Sequence, residues 1–414
     1  MSLRIALLGY RGNPYSGGQG IYLKYLSAAL ADLGHRVSVI GGPPYAELDA
    51  KVTQIKLPSL DLYSEPNPLT ALRPQHLRSF ADTFEWWSMI TGGFAEPYTF
   101  GRRLLRWWDA HGSDFDVVHD NQSLCWALLK LQRRSVPLVT TIHHPITSDR
   151  DIALNAADGI GHRLLIRRWH SFLRMQSRVA RQLNSIVTVS DCSRRDIAAA
   201  FNIPAERIRV VPNGIDARVF RPDPSIARHD ERLISTASAD QPLKGTVHLV
   251  RALAQLRERR PNLRLTLIGK PRAGGPTDEL IRRLDLSAAI EFRSGLTTDE
   301  IRELYARSTV AVVPSEYEGF GLPAGEAMAC GVPLVSTDGG ALPEVVGDAG
   351  VIVPAGNPLA LAAAIEDLLQ QPERRHALSE AGRARIKAQF DWRGAAEAMT
   401  RIYGDAIGAG AIAA

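Results

Sequence analysis

The sequence predicts an α/β fold made of two doubly wound, parallel-sheet domains. Three observations point there. Short apolar runs alternate with helical patterns from one end of the chain to the other. These runs fall into two series, parted by a stretch rich in proline and turn formers. At 414 residues, the chain also exceeds what one ordinary core holds, so two domains are the natural division.

The elements follow in order. Arg4–Gly9 is apolar without alternation, as a strand buried on both faces would be. The helix behind it carries Ile21, Leu23, Leu26, Ala29, Leu30 and Leu33 and stops at Gly34. Val37–Ile40, Asp116–His119, Leu138–Ile142 and Ser185–Val189 complete the first series. Strands alternating with helices imply parallel pairing. Ligands of such sheets bind beyond the carboxyl ends of the strands. The second series is Arg232–Ser235, Leu263–Gly269, Ile290–Arg293, Val310–Val313 and Pro333–Ser336. Between the two lie Val211-Pro-Asn-Gly-Ile-Asp216 and Phe220-Arg-Pro-Asp-Pro224, where the domain crossing is expected. The last helix starts near Trp392 with no new strand, and the low-complexity tail Gly408–Ala414 is expected to fray.

Composition narrows the function classes. With 45% hydrophobic and 22% charged residues, the chain is globular rather than disordered. Cys125, Cys192 and Cys330 are scattered and odd in number. They give neither a disulfide framework nor metal spacing, so a reducing cytosol is expected. The start, Met1–Gly9, lacks a small-residue cleavage site and does not read as a signal peptide. No apolar run is long enough to span a membrane.

The segment Ser315–Val335 carries the strongest chemical signal. The strand Val310–Val313 ends in Pro314, and Glu318-Gly-Phe-Gly-Leu322 follows as a loop. Its glycines let backbone N–H groups approach a ligand closely. Pro323 suits the first turn of a helix, expected over Ala324–Ala329 and ended by Gly331. Backbone donors at a helix N-terminus make an anion site. Glu326 is expected in that first turn, where the helix dipole favours a negative charge. A carboxylate placed so can accept two hydrogen bonds from a ribose diol. The blander alternative is that both glutamates are ordinary surface acids.

Two glutamates separated by seven residues around Gly-Phe-Gly-Leu-Pro, then Glu-Ala-Met-Ala-Cys-Gly-Val-Pro-Leu-Val, resemble the signature of the retaining glycosyltransferase family 4. Further motifs are similar to that family. They are Gly17-Gly18 with Leu33–Val37, the crossing Val211–Asp216, Lys244-Gly245, Gly339–Glu344 and Phe390-Asp-Trp392. The resemblance spans nearly the whole chain. It implies the GT-B fold, two Rossmann-like domains facing across a cleft, with the C-terminal helix returning to the first. The implied domains are 1–211 plus 392–414 for the acceptor and 212–391 for the nucleotide-sugar donor. It also implies that Glu326 binds the ribose hydroxyls and Glu318 faces the transferred sugar. By the same resemblance the N–H groups of Phe320, Gly321 and Leu322 meet sugar and phosphate, and Leu296 offers its backbone to the base.

The departing diphosphate develops negative charge, which a fixed cation stabilises. Lys244 is the candidate. Family members usually carry an arginine six residues earlier, where this chain has Ser238. Three accounts are open: another cation such as Lys270 or Arg272 compensates, activity or donor choice differs, or the donor binds without being transferred. The intact glutamate loop favours the first. No cofactor is implied, and no metal. Asp114-Phe-Asp116 imitates a metal motif but precedes its strand, at the end of a parallel sheet where ligands do not bind.

On the other domain, Gly17-Gly18-Gln19-Gly20 follows the first strand and opens a helix, suited to cradling phosphate or acceptor. His143 follows the strand Leu138–Ile142, and the resemblance implies that it contacts the transferred sugar. His144 beside it is an alternative. Retention at the anomeric carbon, with the leaving phosphate accepting the acceptor's proton, is likewise implied by resemblance.

No acid lies between Gly159 and Ser190, while Arg163, Arg167, His170, Arg174, Arg178 and Arg181 recur at spacings of three and four. They are expected on one helix face, with Leu165, Trp169, Phe172, Val179 and Leu183 packed on the domain from the other. The arginine face is either solvated or meets anionic lipid headgroups or an anionic acceptor. Nucleic acid fits poorly, since no recognition motif accompanies it. Trp86, Trp87, Trp107 and Trp108 either line a carbohydrate or lipid groove or fill an insertion's core. The expected reaction is therefore metal-independent hexosyl transfer from a GDP- or UDP-linked sugar to a glycan or lipid-linked acceptor, in envelope or exopolysaccharide glycoconjugate synthesis. Its expected place is the cytoplasm or the inner face of the plasma membrane. Another activity of the same fold, an epimerase for instance, and nucleotide-sugar binding without transfer are the alternatives.

Overall fold

The computed structural model describes residues 2–13, 18–155, 157, 159–236 and 241–413. The chain divides into two compact units. Unit 1 is Met1–Val189, Ser193–Pro212 and Trp392–Ala414; unit 2 is Ser190–Cys192 and Asn213–Asp391.

Unit 1 holds a seven-stranded sheet in the order β3-β2-β1-β4-β5-β6-β7. The strands are β1 (Arg4–Gly9), β2 (Arg36–Gly41), β3 (Thr53–Lys56), β4 (Val117–Asn121), β5 (Leu138–Thr141), β6 (Ile186–Thr188) and β7 (Ile208–Val210). All pairs are parallel, with Ile5 level with Val37 on one side and Val117 on the other. Ile5 and Leu7 join the core beneath one face, while Ala6 and Leu8 join the core on the opposite face. That is why β1 shows no alternation of apolar and polar residues. The last helix, Trp392–Ala413, packs beside the first, Gly18–Asp32, with Trp392 stacked on Tyr25 at 5.7 Å. It extends to Ala413.

Unit 2 holds a six-stranded parallel sheet in the order β10-β9-β8-β11-β12-β13. Its strands are β8 (Arg232–Thr236), β9 (Arg264–Ile268), β10 (Ile290–Arg293), β11 (Val310–Val313), β12 (Leu334–Thr337) and β13 (Val351–Val353). Leu233, Leu265 and Leu267 pack under the helices Thr246–Arg257, Pro276–Arg283 and Pro358–Gln370. Strand order reverses between β1 and β4 in unit 1, and between β8 and β11 in unit 2. These switch points are where an open α/β sheet leaves a crevice for a ligand.

Three strands escape sequence inspection: β3, β7 and β13. Each is three or four residues long and lies at a sheet edge. Thr53-Gln54-Ile55-Lys56 shows why, since an edge strand is half-solvated and carries polar residues.

The arginine stripe is not one helix face. It breaks into a helix Ile160–Trp169, a 3₁₀ turn His170–Phe172 and a second helix Leu173–Ala180. The change of pitch rotates the two halves against each other. Phe172, Val179 and Leu183 are buried as expected, and Trp169, 36% exposed, packs on Phe94, but Leu165 is exposed, with Ile160 and Leu164 beside it. Arg163 donates to the Leu154 carbonyl and Arg181 to that of Phe201, so these two are partly structural. Arg167, Arg174 and Arg178 are exposed. Asp116 is bound by the backbone and guanidinium of Arg4 at the amino end of the sheet.

Candidate active site

Unit 2 brings Lys244 and Glu318 together at the switch point. Past β11 the chain runs through Pro314 and Ser315 to Glu318. Past β8, Lys244 ends a 3₁₀ turn, Pro242–Lys244, just ahead of the helix Thr246–Arg257. Lys244 Nζ donates to Glu318 Oε1 at 2.7 Å, and Ser315 Oγ donates to the same oxygen at 2.8 Å. The two sides of the reversal thus supply one cation and one anion to one place.

The loop between Glu318 and the next helix is shaped by two close approaches. Gly321 caps the helix Leu322–Ala329 with φ of 100°, a left-handed conformation that favours glycine. Gly340 approaches so closely that a Cβ there would stand 2.3 Å from the Glu318 carbonyl. Ala341 N–H donates to that carbonyl at 2.8 Å, pinning the loop. Phe320 is buried and meets Phe390 edge-on at 5.6 Å, so its ring anchors the segment. At the start of the helix Leu322–Ala329, Pro323 has no N–H, and the N–H groups of Ala324 and Gly325 are taken by the Gly321 carbonyl at 3.1 and 3.3 Å, so the backbone donors the segment can offer an anion lie at Phe320–Leu322. Leu296 follows β10 and precedes the helix Thr298–Arg307, which is closed by a capping box between Thr297 and Glu300.

Glu326 is not in the first turn. The helix starts at Leu322, two residues before the expected Ala324, so Glu326 is its fifth residue. The dipole argument for its charge therefore falls. Burial instead pushes its carboxyl up to about 8, which keeps it protonated near neutral pH while no ligand is bound.

In unit 1, His143 lies past β5, beside the end of β4. Asn121 Nδ2 donates to the Gln19 carbonyl at 3.1 Å, which turns Asn121 Oδ1 toward His143 Nε2 at 2.6 Å. The carboxamide can only accept there, so Nε2 carries the proton and Nδ1 is left as the ring's acceptor. Burial, then His144 and His119, lower the imidazole to about 3, so it is neutral across the physiological range. Gln122 holds the backbone on both sides of the ring. Its Oε1 accepts from His143 N–H at 2.7 Å, and its Nε2 donates to the His144 carbonyl at 2.8 Å. Gln122 and Leu124 have φ of 54° and 47°. Strained backbone of this kind concentrates at functional sites. Tyr22 meets His143 edge-on at 4.8 Å, whereas the His144 ring turns to Asp149 at 3.2 Å.

Comparison with known proteins agrees with this geometry. Residues 16–219 match Glycosyltransferase Family 4, and residues 221–385 match Glycosyl transferases group 1. An MMP alpha-(1->4)-mannosyltransferase of Mycolicibacterium hassiacum is 44% identical over 410 residues, covering 98% of each chain. The chain belongs to glycosyltransferase family 4. Among solved structures, sucrose-phosphate synthase from Thermosynechococcus elongatus superposes with a TM-score of 0.74 at 24% identity, covering 98% of this chain and 100% of the other. Anabaena Alr3699/HepE, solved with UDP and glucose, superposes at 0.70 with 18% identity, covering 97% and 99%. The two parallel-sheet units of this family 4 glycosyltransferase are those of the GT-B fold.

For this glycosyltransferase, two sequence-derived candidates, Gly17 and Ser238, lie outside the described residues. Gly18 opens the helix Gly18–Asp32. Lys270 and Arg272 follow β9 and are exposed. The tryptophans divide. Trp108 is buried, and Trp86 donates to the Pro68 carbonyl at 3.1 Å, while Trp87 is exposed. Sequence inspection missed Ser315, Asn121 and Gln122. Ser315 lies inside the recognised segment and was within reach. Asn121 and Gln122 carry no spacing signal and gain meaning only from the pairing of β4 with β5.

Proposed function

We propose that the chain is a retaining, metal-independent hexosyltransferase that moves a hexosyl group from a GDP- or UDP-linked sugar to a hydroxyl of a glycan or lipid-linked acceptor. The observation that carries this is the convergence of Lys244 and Glu318 at the switch point of unit 2. The name of the 44% identical relative favours mannosyl transfer forming an α-(1→4) linkage. Envelope or exopolysaccharide synthesis is the setting such a product suits.

In this reading the bond from the anomeric carbon to the diphosphate oxygen breaks as the bond to the acceptor oxygen forms on the same face. The acceptor's proton passes to the departing phosphate. Lys244 and the N–H groups of Phe320, Gly321 and Leu322 stabilise the charge developing on that group. Glu326 takes the ribose diol, Leu296 meets the base through its backbone, and Glu318 faces the sugar. Neutral His143 accepts from a sugar hydroxyl through Nδ1. No step calls on a metal, so activity is expected to survive EDTA.

The test is a nucleotide-sugar panel scored for nucleotide release with manno-oligosaccharide or lipid extract as acceptor. GDP-mannose is expected to lead, with release lost in Glu318→Ala. Release from no donor would leave binding without transfer, which Ser238 in place of the family's arginine favours. A cytoplasmic enzyme that touches an anionic membrane through Arg167, Arg174 and Arg178 is a separable part of the proposal. The outward Leu164 and Leu165 support it. Flotation with anionic vesicles at low salt tests it, and absence of binding removes it.

A further inference from the structure

The carboxyl edge of the unit 1 sheet carries a second group of side chains, next to the His143 clamp. Past β1 come Tyr10 and Arg11. The Arg11 guanidinium lies over the Tyr63 ring, 4.8 Å from its centroid, and its Nε stands 3.3 Å from Glu96 Oε2. Tyr63 meets Trp169 edge-on at 5.8 Å, and Phe94 stacks on Trp169 at 5.3 Å. Phe94 is buried, whereas Trp169 is 36% exposed and Tyr63 and Arg11 are half-buried. One side of the tryptophan is thus fixed from behind while part of it faces solvent.

These residues come from four separate parts of the chain: the end of β1, the loop after β3, the start of the helix Glu96–His111, and the end of the helix Ile160–Trp169. Packing of an inserted helical pair would explain the aromatic contacts alone. It does not explain Glu96. This residue is 8% exposed, and its buried Oε2 makes no hydrogen bond, meeting Arg11 Nε at 3.3 Å instead. A buried carboxyl oxygen held by no hydrogen bond is rare in a purely structural cluster. Here it lies beside a partly exposed arginine and two aromatic rings.

The group is also tied to His143. The Tyr10 hydroxyl bonds the Gln19 side chain, the Gln19 carbonyl accepts from Asn121, and Asn121 holds the imidazole. Tyr10 in turn meets Phe94 edge-on at 6.2 Å. Both groups flank the β1/β4 switch point, where the sheet leaves its crevice.

We propose that Arg11, Tyr63 and Trp169, with Glu96 behind them, form a subsite for a neutral oligosaccharide acceptor, one or more units back from the hydroxyl that reacts. The chemistry matches that class. A hexose offers an apolar C–H face, which an aromatic ring covers, and a rim of hydroxyls, which a guanidinium and a carboxyl can hold. Few polar groups around an apolar wall is the usual composition of a small-molecule site. The inference rests on the reading of the chain as a transferase with a glycan acceptor.

The test titrates α-(1→4)-linked mannotetraose into the donor-free full chain, followed by ligand-observed NMR. Wild type, Trp169→Ala and Arg11→Gln are compared. Binding of GDP and UDP is measured alongside to show that each variant is folded. The expected result is saccharide binding by wild type, weakened about tenfold or more in both variants, with nucleotide binding unchanged. Equal saccharide binding by all three proteins overturns the subsite. So does a wild type that transfers hexose to another acceptor but does not bind mannotetraose. So does binding of anionic vesicles, but not of mannotetraose, that Trp169→Ala removes. Saccharide binding that depends on Trp169 and Arg11 in a protein that turns over no donor supports the subsite and sinks the transferase reading instead.

Discussion

Lys244 Nζ and Glu318 Oε1 meet at 2.7 Å, the lysine from the β8 side of the unit 2 switch point and the glutamate from the β11 side. In the proposed reading, the donor-free protein neutralises the lysine assigned to the diphosphate with the carboxylate assigned to the sugar. Donor binding is then expected to separate them. The Glu318 side chain is only 12% exposed and the Lys244 side chain 23%, so neither charge is tolerated alone at no cost. Lys244→Ala is expected to lower kcat about 100- to 1,000-fold and also to lower the urea midpoint. Lys244→Met with Glu318→Gln should recover stability without recovering turnover. Steady-state kinetics and denaturation on the same samples check both. A kcat within about threefold of wild type in Lys244→Ala would remove the lysine from the proposed chemistry.

Glu326 gives a pH-dependent prediction. Its carboxyl is held at about 8 by burial, above the ordinary carboxylate range. The folded, ligand-free protein therefore binds one more proton than the unfolded chain between that range and about pH 8. Stability from this group is complete below the unfolded value and is lost as pH rises through about 8. Glu326→Gln should flatten that loss, so its advantage in Tm over wild type grows from pH 5 to pH 8. Binding of a ribose diol calls for the ionised carboxylate. Nucleotide binding near pH 7 should therefore release close to one proton in wild type and none in Glu326→Gln. Calorimetry in buffers of different ionisation enthalpy measures this. Equal proton release by both proteins would assign the diol to another group.

Asn121 is expected to control the charge of His143. As a carboxamide it accepts from Nε2 and leaves the ring neutral, with the imidazole at about 3. The wild-type profile of kcat/KM should then show no acid limb from His143 between pH 5 and pH 8. Asn121→Asp places a carboxylate against the same nitrogen, which favours the imidazolium and raises the pKa. An acid limb should appear in that interval, and Asn121→Ala should lower turnover without creating one. A variant profile that overlays wild type would show that the ring does not act near the reacting groups.

The parts of this protein that were legible in its sequence share a physical cause. β1 shows as an uninterrupted apolar run because both of its faces are covered. Glu318, Gly321 and Lys244 show because they stand at fixed distances along the chain, in loops that only certain residues can form. β3 stays hidden because an edge strand is half-solvated and reads as polar coil. The stripe from Arg163 to Arg181 misled, since helical spacing was continued through a 3₁₀ turn that periodicity does not mark. Leu165 consequently faces outward. Asn121 and Gln122 depend on β4 lying beside β5, with Asn121 level with Thr141. Residues made neighbours by a sheet carry no shared period in the sequence.

Ser238 poses the remaining question about charge. In the family an arginine is usual at this place, and its loss removes one full charge from the expected diphosphate site. If Lys244 and the helix N-termini suffice, with Lys270 or Arg272 compensating, Ser238→Arg adds a redundant cation. Turnover should then stay within about threefold of wild type, with donor KM falling modestly as nonspecific attraction to the diphosphate increases. The salt dependence of donor KM should steepen, because one more charge attracts the diphosphate. A rise in kcat of about tenfold or more, roughly 1.4 kcal/mol of transition-state stabilisation, would mean that no other cation fills the place. In that case the natural chain works with an incomplete phosphate grip. Replacing Lys270 and Arg272 with alanine in the wild-type background separates the two outcomes further. A fall in kcat identifies the compensating cation, and an unchanged kcat leaves Lys244 and the backbone donors as the whole of the grip.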